Sequence, residues 1–238
     1  MSVADRIATP EGKRRVVRSI FDTIADRYDF ITVLLSYGQD RRWKRRMIEL
    51  AAPRAGTRAL DLATGTGDIA FALTAASVET IGLDITIRMI ELARAKTCGR
   101  ERAPRFLVGD MLALPFPDRS FDIVTAGYGL RNVIDLPAAV DEIVRVLKPG
   151  GQLLSLDFNR PSNRLVRSVY LRYLTIVGGT LGWALHGDPD TYRYIPASIR
   201  NYPGADAVAR LMQSRGLADV KCHLVLGGLM AIHHGRKR

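Results

Sequence analysis

The chain has 238 residues, 47% of them hydrophobic, and carries a formal net charge of +11. That apolar content excludes a disordered chain, and the length suits one α/β domain with an insertion and a sizeable core. Only Cys98 and Cys222 occur, far apart and without a metal-ligand pattern, so a disulfide framework or a zinc site is not expected and a reducing cytoplasm fits. No apolar run approaches the roughly 20 residues that span a bilayer. Residues 1–15 lack the apolar stretch of a signal peptide. The positive charge gathers in Lys13-Arg14-Arg15, in Arg41-Arg42-Trp43-Lys44-Arg45-Arg46 and in Arg236-Lys237-Arg238. Such clusters favour a polyanion, either nucleic acid or an anionic membrane face, without separating the two.

Val17, Ile20, Ile24 and Tyr28 recur at helical spacing and predict an amphipathic helix over 16–28. Ser36-Tyr37-Gly38 breaks the pattern, and Asp40 is placed to cap a second, basic helix containing Trp43 and Met47. From residue 58 strands and helices alternate. Strands are predicted at 58–63, 79–84, 105–109, 121–127 and 152–158, with helices at 68–76, 86–96 and 136–147. Lys148-Pro149-Gly150-Gly151 stops the last of these, because proline cannot continue a helix. Alternation of this kind implies a mainly parallel sheet. It ends after Asp157. An apolar and aromatic segment, about 162–201 and interrupted by Gly178-Gly179 and Gly182, reads as an inserted lid. A helix over 205–215 and two runs, 220–226 and 228–234, separated only by Gly227, follow; the runs predict an antiparallel hairpin.

The richest stretch is Ala59-Leu60-Asp61-Leu62-Ala63-Thr64-Gly65-Thr66-Gly67. It has the pattern of a buried strand running into a glycine turn and then a helix. Glycine there can take positive φ and lets a ligand lie against the backbone. The next apolar run closes on Asp84, where a nucleotide ribose is gripped. Together these features indicate an adenosine-containing cofactor. Gly65-x-Gly67-x-x-Ala70 also fits a dinucleotide fingerprint, and an ordinary tight turn would read the same way. The terminal antiparallel hairpin discriminates. A parallel sheet closed in this way is similar to the S-adenosylmethionine-dependent methyltransferase fold: Rossmann-like α/β, with a mainly parallel seven-stranded sheet. Residues 1–57 then form an N-terminal helical cap and 162–201 the lid of a single methyltransferase domain.

A narrower resemblance rests on Leu114-Pro115-Phe116-Pro117-Asp118-x-Ser120-Phe121-Asp122, on Gly129-Leu130-Arg131-Asn132-Val133 and on Tyr192-x-Tyr194-x-x-x-Ser198-Ile199. Phe21-x-x-Ile24-Ala25-x-x-Tyr28-Asp29, Trp43-Lys44-Arg45, Arg145-Val146-Leu147-Lys148-Pro149-Gly150-Gly151 and the ending Ala231-Ile232-His233-His234-Gly235 extend it. From about residue 16 onward the chain resembles the ubiquinone/menaquinone biosynthesis C-methyltransferase family. The resemblance implies methyl transfer from S-adenosylmethionine to a ring carbon of a polyprenylated quinol. The reaction would be demethylmenaquinol to menaquinol or, alternatively, methylation of a ubiquinol precursor. Thr32-Val33, Asp157 and Ala197 depart from the family pattern, which bears on which quinol is accepted.

The residues suggest roles. Gly65, Thr66 and Gly67 would let the backbone approach the methionine part of the cofactor, Asp84 would take the ribose hydroxyls, Asp110 with Met111 would meet the adenine, and Gly127 is a further cofactor-binding candidate. Asp61 has two open roles, beside the methionyl amine or orienting the glycine turn. Carbon methylation needs a quinol activated towards phenolate, whose pKa is near 10. Arg131, just beyond the fourth strand, is placed to stabilise phenolate or hold a water, and Asn132 to orient a quinol oxygen. Tyr28, at the end of the first helix, would hydrogen-bond the ring hydroxyls from the lid side. Their bland counterparts are an ion-pair partner, a turn residue and a packing residue. No metal is required, and His186, His223, His233 and His234 form no ligand cluster. Arg164, Arg167 and Arg172 within the apolar lid suggest docking on an anionic membrane, peripherally at its inner face. A nucleic-acid methyltransferase is disfavoured because Ala126-Gly127-Tyr128-Gly129 replaces the Asn/Asp-Pro-Pro-aromatic motif, so no nucleic acid partner is expected. A non-catalytic membrane-associated protein that keeps the fold as a scaffold is disfavoured by the intact Gly65, Gly67, Asp84 and Asp110.

Overall fold

The computed structural model describes residue 7 and residues 9–238. The expected cap, and the stretch expected to be no signal peptide, therefore fall partly on residues 1–6 and 8, outside the described residues.

Among the described residues, three helices precede the sheet: α1 (Pro10–Ile24), α2 (Tyr28–Leu35) and α3 (Asp40–Ala51). The first begins six residues earlier than periodicity predicts. Thr9 caps it by accepting from the Gly12 N–H, and Pro10 suits the first turn, where its missing N–H costs nothing. A short 3-10 turn, Ala25–Arg27, separates α1 from α2, so Tyr28 opens a helix rather than closing one. Asp40 is the first residue of α3 and not its cap; its carboxylate is engaged elsewhere.

The alternating region gives β1 (Arg58–Leu62), α4 (Asp68–Ala75), β2 (Glu79–Asp84), α5 (Ile87–Ala95), β3 (Arg105–Val108), β4 (Phe121–Gly127), α6 (Leu136–Val146) and β5 (Leu147–Phe158). The strand β5 starts five residues before the predicted 152. Lys148-Pro149-Gly150-Gly151 is absorbed at its edge, where the pairing with β4 slips between Phe121 and Ile123. After it come α7 (Arg164–His186), α8 (Asp190–Asn201), α9 (Ala205–Ser214), β6 (Leu217–Val225) and β7 (Met230–Lys237). The seven strands lie in the order β3-β2-β1-β4-β5-β7-β6. Pairing is parallel from β3 through β5 and antiparallel for β5 with β7 and β7 with β6. The terminal hairpin turns through a 3-10 segment, Leu226–Gly228, rather than through one glycine.

Strand residues alternate between two cores. Leu60, Leu62, Val124 and Ala126 face Ile143 and Val146 of α6 and Val208 and Met212 of α9. Ala59, Ile123, Leu154 and Leu156 face Trp43 and Met47 of α3 and Ile69 and Leu73 of α4. Because β1 has β2 on one side and β4 on the other, the chain order reverses there, and a crevice opens at the carboxyl ends of the strands.

The lid segment is a helical hairpin. Gly178, Gly179 and Gly182 do not interrupt α7; they let α8 approach it. A Cβ on Gly178 would lie 3.1 Å from the Tyr192 carbonyl oxygen, and one on Gly182 would lie 2.4 Å from that of Asp188.

Candidate active site

The β1 tip turns sharply. Ala63 adopts φ +49° and Gly65 φ +54°, and the Gly67 N–H closes the turn on the Thr64 carbonyl at 2.9 Å. Asp61 supports the turn from below: one carboxylate oxygen accepts from Thr64 Oγ1 at 2.6 Å, the other from Thr125 Oγ1 at 2.7 Å. Complete burial pushes its pKa up to about 6. The structure thus gives Asp61 the orienting geometry and leaves it outside the cleft above. Gly67 packs against the ring of Phe106, where a Cβ would come within 2.7 Å; its absent side chain serves packing. Thr66 binds Asp29 of α2.

Asp84 closes β2 with both oxygens engaged, accepting from the N–H of Gly65 and of Thr86 at 2.9 Å each. Its burial raises its pKa. One carboxylate therefore ties the glycine turn to the second strand. Gly65, Asp84, Asp110, Met111, Gly127 and Asn132 all line one cleft over the sheet edge, and Tyr28 joins them from α2. Thr86 lines the same cleft, and its Oγ1 is buried with no hydrogen-bond partner among the described residues. An open backbone turn, a buried carboxylate and an orphaned hydroxyl fit a ribose and the chain attached to it.

Helix α1 roofs the cleft. Arg14 pairs with Asp110, and Lys13 Nζ donates to the carbonyls of Arg131, at 3.1 Å, and of Val133. Burial, with the neighbouring Arg131 charge, lowers the Lys13 pKa to about 8.

The β4 tip carries the second half of the site. Tyr128 stands at φ +59°, a conformation that costs a non-glycine residue of order 1–3 kcal/mol. Its hydroxyl donates to Asp40 Oδ1 at 2.6 Å. Asn132 Nδ2 donates to the Tyr128 carbonyl at 2.9 Å, and its Oδ1 accepts from the Tyr194 hydroxyl at 2.9 Å. Arg131 turns away from the cleft. Its Nε donates to Asp157 Oδ1 at 3.1 Å and its Nη1 to Ser198, and its guanidinium lies 4.9 Å from the Phe158 ring centroid. It lines a neighbouring apolar cavity of about 330 Å³, walled by α1, α2, α7 and α8. Tyr28 and Tyr128 line both the cleft and this cavity. Burial raises the Tyr28 pKa to about 12 and that of Tyr128 well above its ordinary value.

The ubiE/COQ5 methyltransferase family model matches residues 9–237. The chain belongs to that family. A demethylmenaquinone methyltransferase of Thermus thermophilus is 43% identical over 218 residues, covering 91% of this chain and 99% of that protein. A ubiquinone/menaquinone biosynthesis C-methyltransferase of Azotobacter vinelandii is 39% identical, covering 97% and 93%. A Thermotoga maritima structure described as an S-adenosylmethionine-dependent methyltransferase superposes with TM-score 0.67 at 20% identity, over 93% of this chain and 99% of that one. A likeness at that identity speaks for the fold.

Within this ubiE/COQ5 site, Lys13, Arg14, Asp40, Thr86 and Tyr128 have roles that motif reading does not reach. Lys13, Arg14 and Lys44 sit in runs that look like solvated basic clusters. Lys13 and Arg14 instead clamp the cleft, and Lys44 lies between Asp40 and Asp68 at 2.7 and 2.9 Å. His233 and His234 have structural partners. His233 Nε2 lies 2.9 Å from the Ala205 carbonyl and His234 Nε2 2.8 Å from Gln152 Oε1.

Proposed function

We propose that this chain methylates a ring carbon of a polyprenylated quinol with S-adenosylmethionine, demethylmenaquinol being the substrate. The observation that carries the reading is the junction at Tyr28 and Tyr128, where a cleft bearing Asp84, Asp110 and Asn132, suited to a nucleoside, meets an apolar cavity suited to an aromatic ring. Membership of the ubiE/COQ5 family and the names of the relatives support it.

S-Adenosylmethionine supplies an electrophilic methyl group on a cationic sulfur. Asp84 and Thr86 would hold the ribose, Asp110 and Met111 would meet the adenine, and the left-handed turn at Gly65 would open the backbone towards the methionyl part. Arg131 places its guanidinium at the wall of the quinol cavity, where it lowers the cost of phenolate. Asn132, held by Tyr128 and Tyr194, keeps the β4 loop in register with α8. Methyl transfer is an in-line displacement, so aligning donor and carbon in a dry cavity supplies most of the rate, an effect worth roughly 7–11 kcal/mol in well-oriented systems.

The hairpin α7–α8 is the lid that faces the membrane. Val166, Val169, Tyr173, Ile176 and Trp183 are exposed along one face of α7, and Arg164 and Arg172 are exposed beside them. Phe30 and Leu34 of α2 and Leu226 of the terminal turn add further exposed apolar surface. Tyr37 meets Tyr173 hydroxyl to hydroxyl, and both line the quinol cavity. Apolar side chains fringed by arginine suit an anionic lipid surface, each basic residue contributing about 1 kcal/mol. No described helix is long and apolar enough to cross a membrane. Cosedimentation with vesicles containing anionic lipid should show binding that salt weakens and that Val169→Glu with Ile176→Glu abolishes; absence of binding at low salt would refute this surface.

The substrate assignment is tested by labelled methyl transfer in detergent to reduced demethylmenaquinol, to a reduced demethylated ubiquinol precursor and to total RNA. Preferential labelling of the naphthoquinol is expected. Preference for the benzoquinol would move the chain to the ubiquinone branch, and label in RNA alone would end the quinol reading.

A further inference from the structure

Replacing a ring hydrogen by methyl releases one proton. The ring carbon bonds to the methyl carbon with a π electron pair, and the C–S pair stays on sulfur, which becomes a neutral thioether. A hydroxyl proton leaves to activate the ring. The ring C–H proton lost on rearomatisation restores the hydroxyl, so the net product is one proton and no oxidant or reductant is involved. That proton needs an acceptor next to the cavity.

Most buried groups near the junction are already committed. Arg131 is a permanent cation and accepts nothing. Asp157 uses Oδ1 on Arg131 Nε and on the Phe158 N–H, and Oδ2 on the Arg131 N–H. Asp61 and Asp84 have both oxygens bonded inside the fold, and Asp110 is paired with Arg14. Asp40 differs. It is 2% exposed, yet it accepts a hydrogen bond from a hydroxyl whose ring lines the quinol cavity. Its Oδ2 lies 2.7 Å from Lys44 Nζ, which lies 2.9 Å from Asp68 Oδ2, and the Asp68 side chain is 45% exposed. A hydrogen-bonded line therefore runs from the cavity wall to solvent.

We propose that the quinol proton leaves along this line: Tyr128 accepts it from the ring hydroxyl while passing its own proton to Asp40, and Lys44 gives one of its protons to Asp68, which releases it to solvent, as the freed nitrogen takes the proton held by Asp40. The proposal rests on the quinol-methylation reading. It accounts for the left-handed backbone at Tyr128, which points a phenol at Asp40. Tyr28 and Asp157 are the other titratable groups acting on Tyr128, and Lys96 lies 3.9 Å from Asp68.

Tyr128→Phe keeps the ring and removes the relay. The test measures kcat against pH, the solvent deuterium isotope effect on kcat, and S-adenosylmethionine affinity by calorimetry. We expect kcat to fall by roughly 10²-fold at neutral pH, a loss that narrows as pH rises, a changed isotope effect and an unaltered cofactor affinity. Asp40→Asn should match it, and the double variant should be no worse than either single one. A Tyr128→Phe enzyme with kcat within about twofold of the parent and the parent's pH profile would overturn the relay. Should Asp40→Asn fail to fold, Tyr128→Phe alone decides. An unmutated chain that methylates no quinol would instead refute the parent reading.

Discussion

The carboxylate of Asp157 holds Arg131 twice, through the side-chain Nε at 3.1 Å and through the backbone N–H at 3.0 Å. Both side chains are almost wholly buried, at 4% and 3% exposure. One ion pair thus fixes the loop after β4 and the charge at the cavity wall. Removing either partner strands the other. Arg131→Ala and Asp157→Ala should each cost about 3–5 kcal/mol, lowering the melting temperature by roughly 10 °C in a chain of this size. Arg131→Lys should retain more stability than Arg131→Ala. Melting curves check this, and an unchanged midpoint for Arg131→Ala would contradict the pairing.

Asp84 joins the glycine turn to β2 through two backbone N–H groups. Asp84→Asn replaces a two-oxygen acceptor by a group that can present only one oxygen, leaving one donor facing another. Charge-assisted bonds of this kind are worth about 1.5–3 kcal/mol, so S-adenosylmethionine affinity should weaken by about tenfold to a hundredfold. Calorimetry decides. Equal affinity in the variant would mean that the turn does not form the cofactor site.

Arg14 roofs the cleft by pairing with Asp110, and its side chain is 53% exposed. Such pairs contribute at most about 1 kcal/mol. Arg14→Ala should therefore leave the fold intact while releasing bound cofactor faster, by a few fold, with the difference from the parent shrinking at high salt. Stopped-flow release kinetics would show it. Identical release rates at low salt would remove Arg14 from the roof.

Asp61 makes a pH prediction. Its pKa rises from 3.8 in the unfolded chain to about 6 when buried. The folded state then binds more protons between those values, so the contribution of Asp61 to stability is complete below pH 3.8 and lost as pH rises through 6. Relative to Asp61→Asn, the parent should lose stability across that window. Denaturant midpoints taken at several pH values test the sign, and parallel curves for the two proteins would disprove it.

The sheet was legible because β1, β2, β4 and β5 are nearly continuous apolar runs punctuated by Gly65, Asp84, Gly127 and Asp157, the signature of strands buried on both faces. The antiparallel close of the sheet also followed from the pattern. Other features depend on tertiary partners that periodicity cannot register. Gly178 and Gly182 look like helix breakers until α8 lies against them. Lys13, Arg14 and Lys44 look like solvated charge until Arg131, Asp110 and Asp40 are placed beside them. Asp40 looks like a cap because acids favour helix starts, yet the hydroxyl of Tyr128, 88 residues away, claims its carboxylate. Gly65, Asp84, Asp110, Met111 and Gly127, read from strand ends, gather in one cleft. Thr66, Gly67 and Asp61 support that cleft from outside it, and Arg131 opens on the second cavity.

The central claim is carbon methylation at the meeting of the cleft and the apolar cavity. Its most direct test is to incubate the enzyme with S-adenosylmethionine carrying a carbon-13 methyl group and demethylmenaquinone, with and without chemical reduction, and to locate the label in the product by NMR. The account predicts a new aryl methyl resonance that appears only with the reduced ring. A methyl ether, or equal labelling of the oxidised quinone, would contradict it.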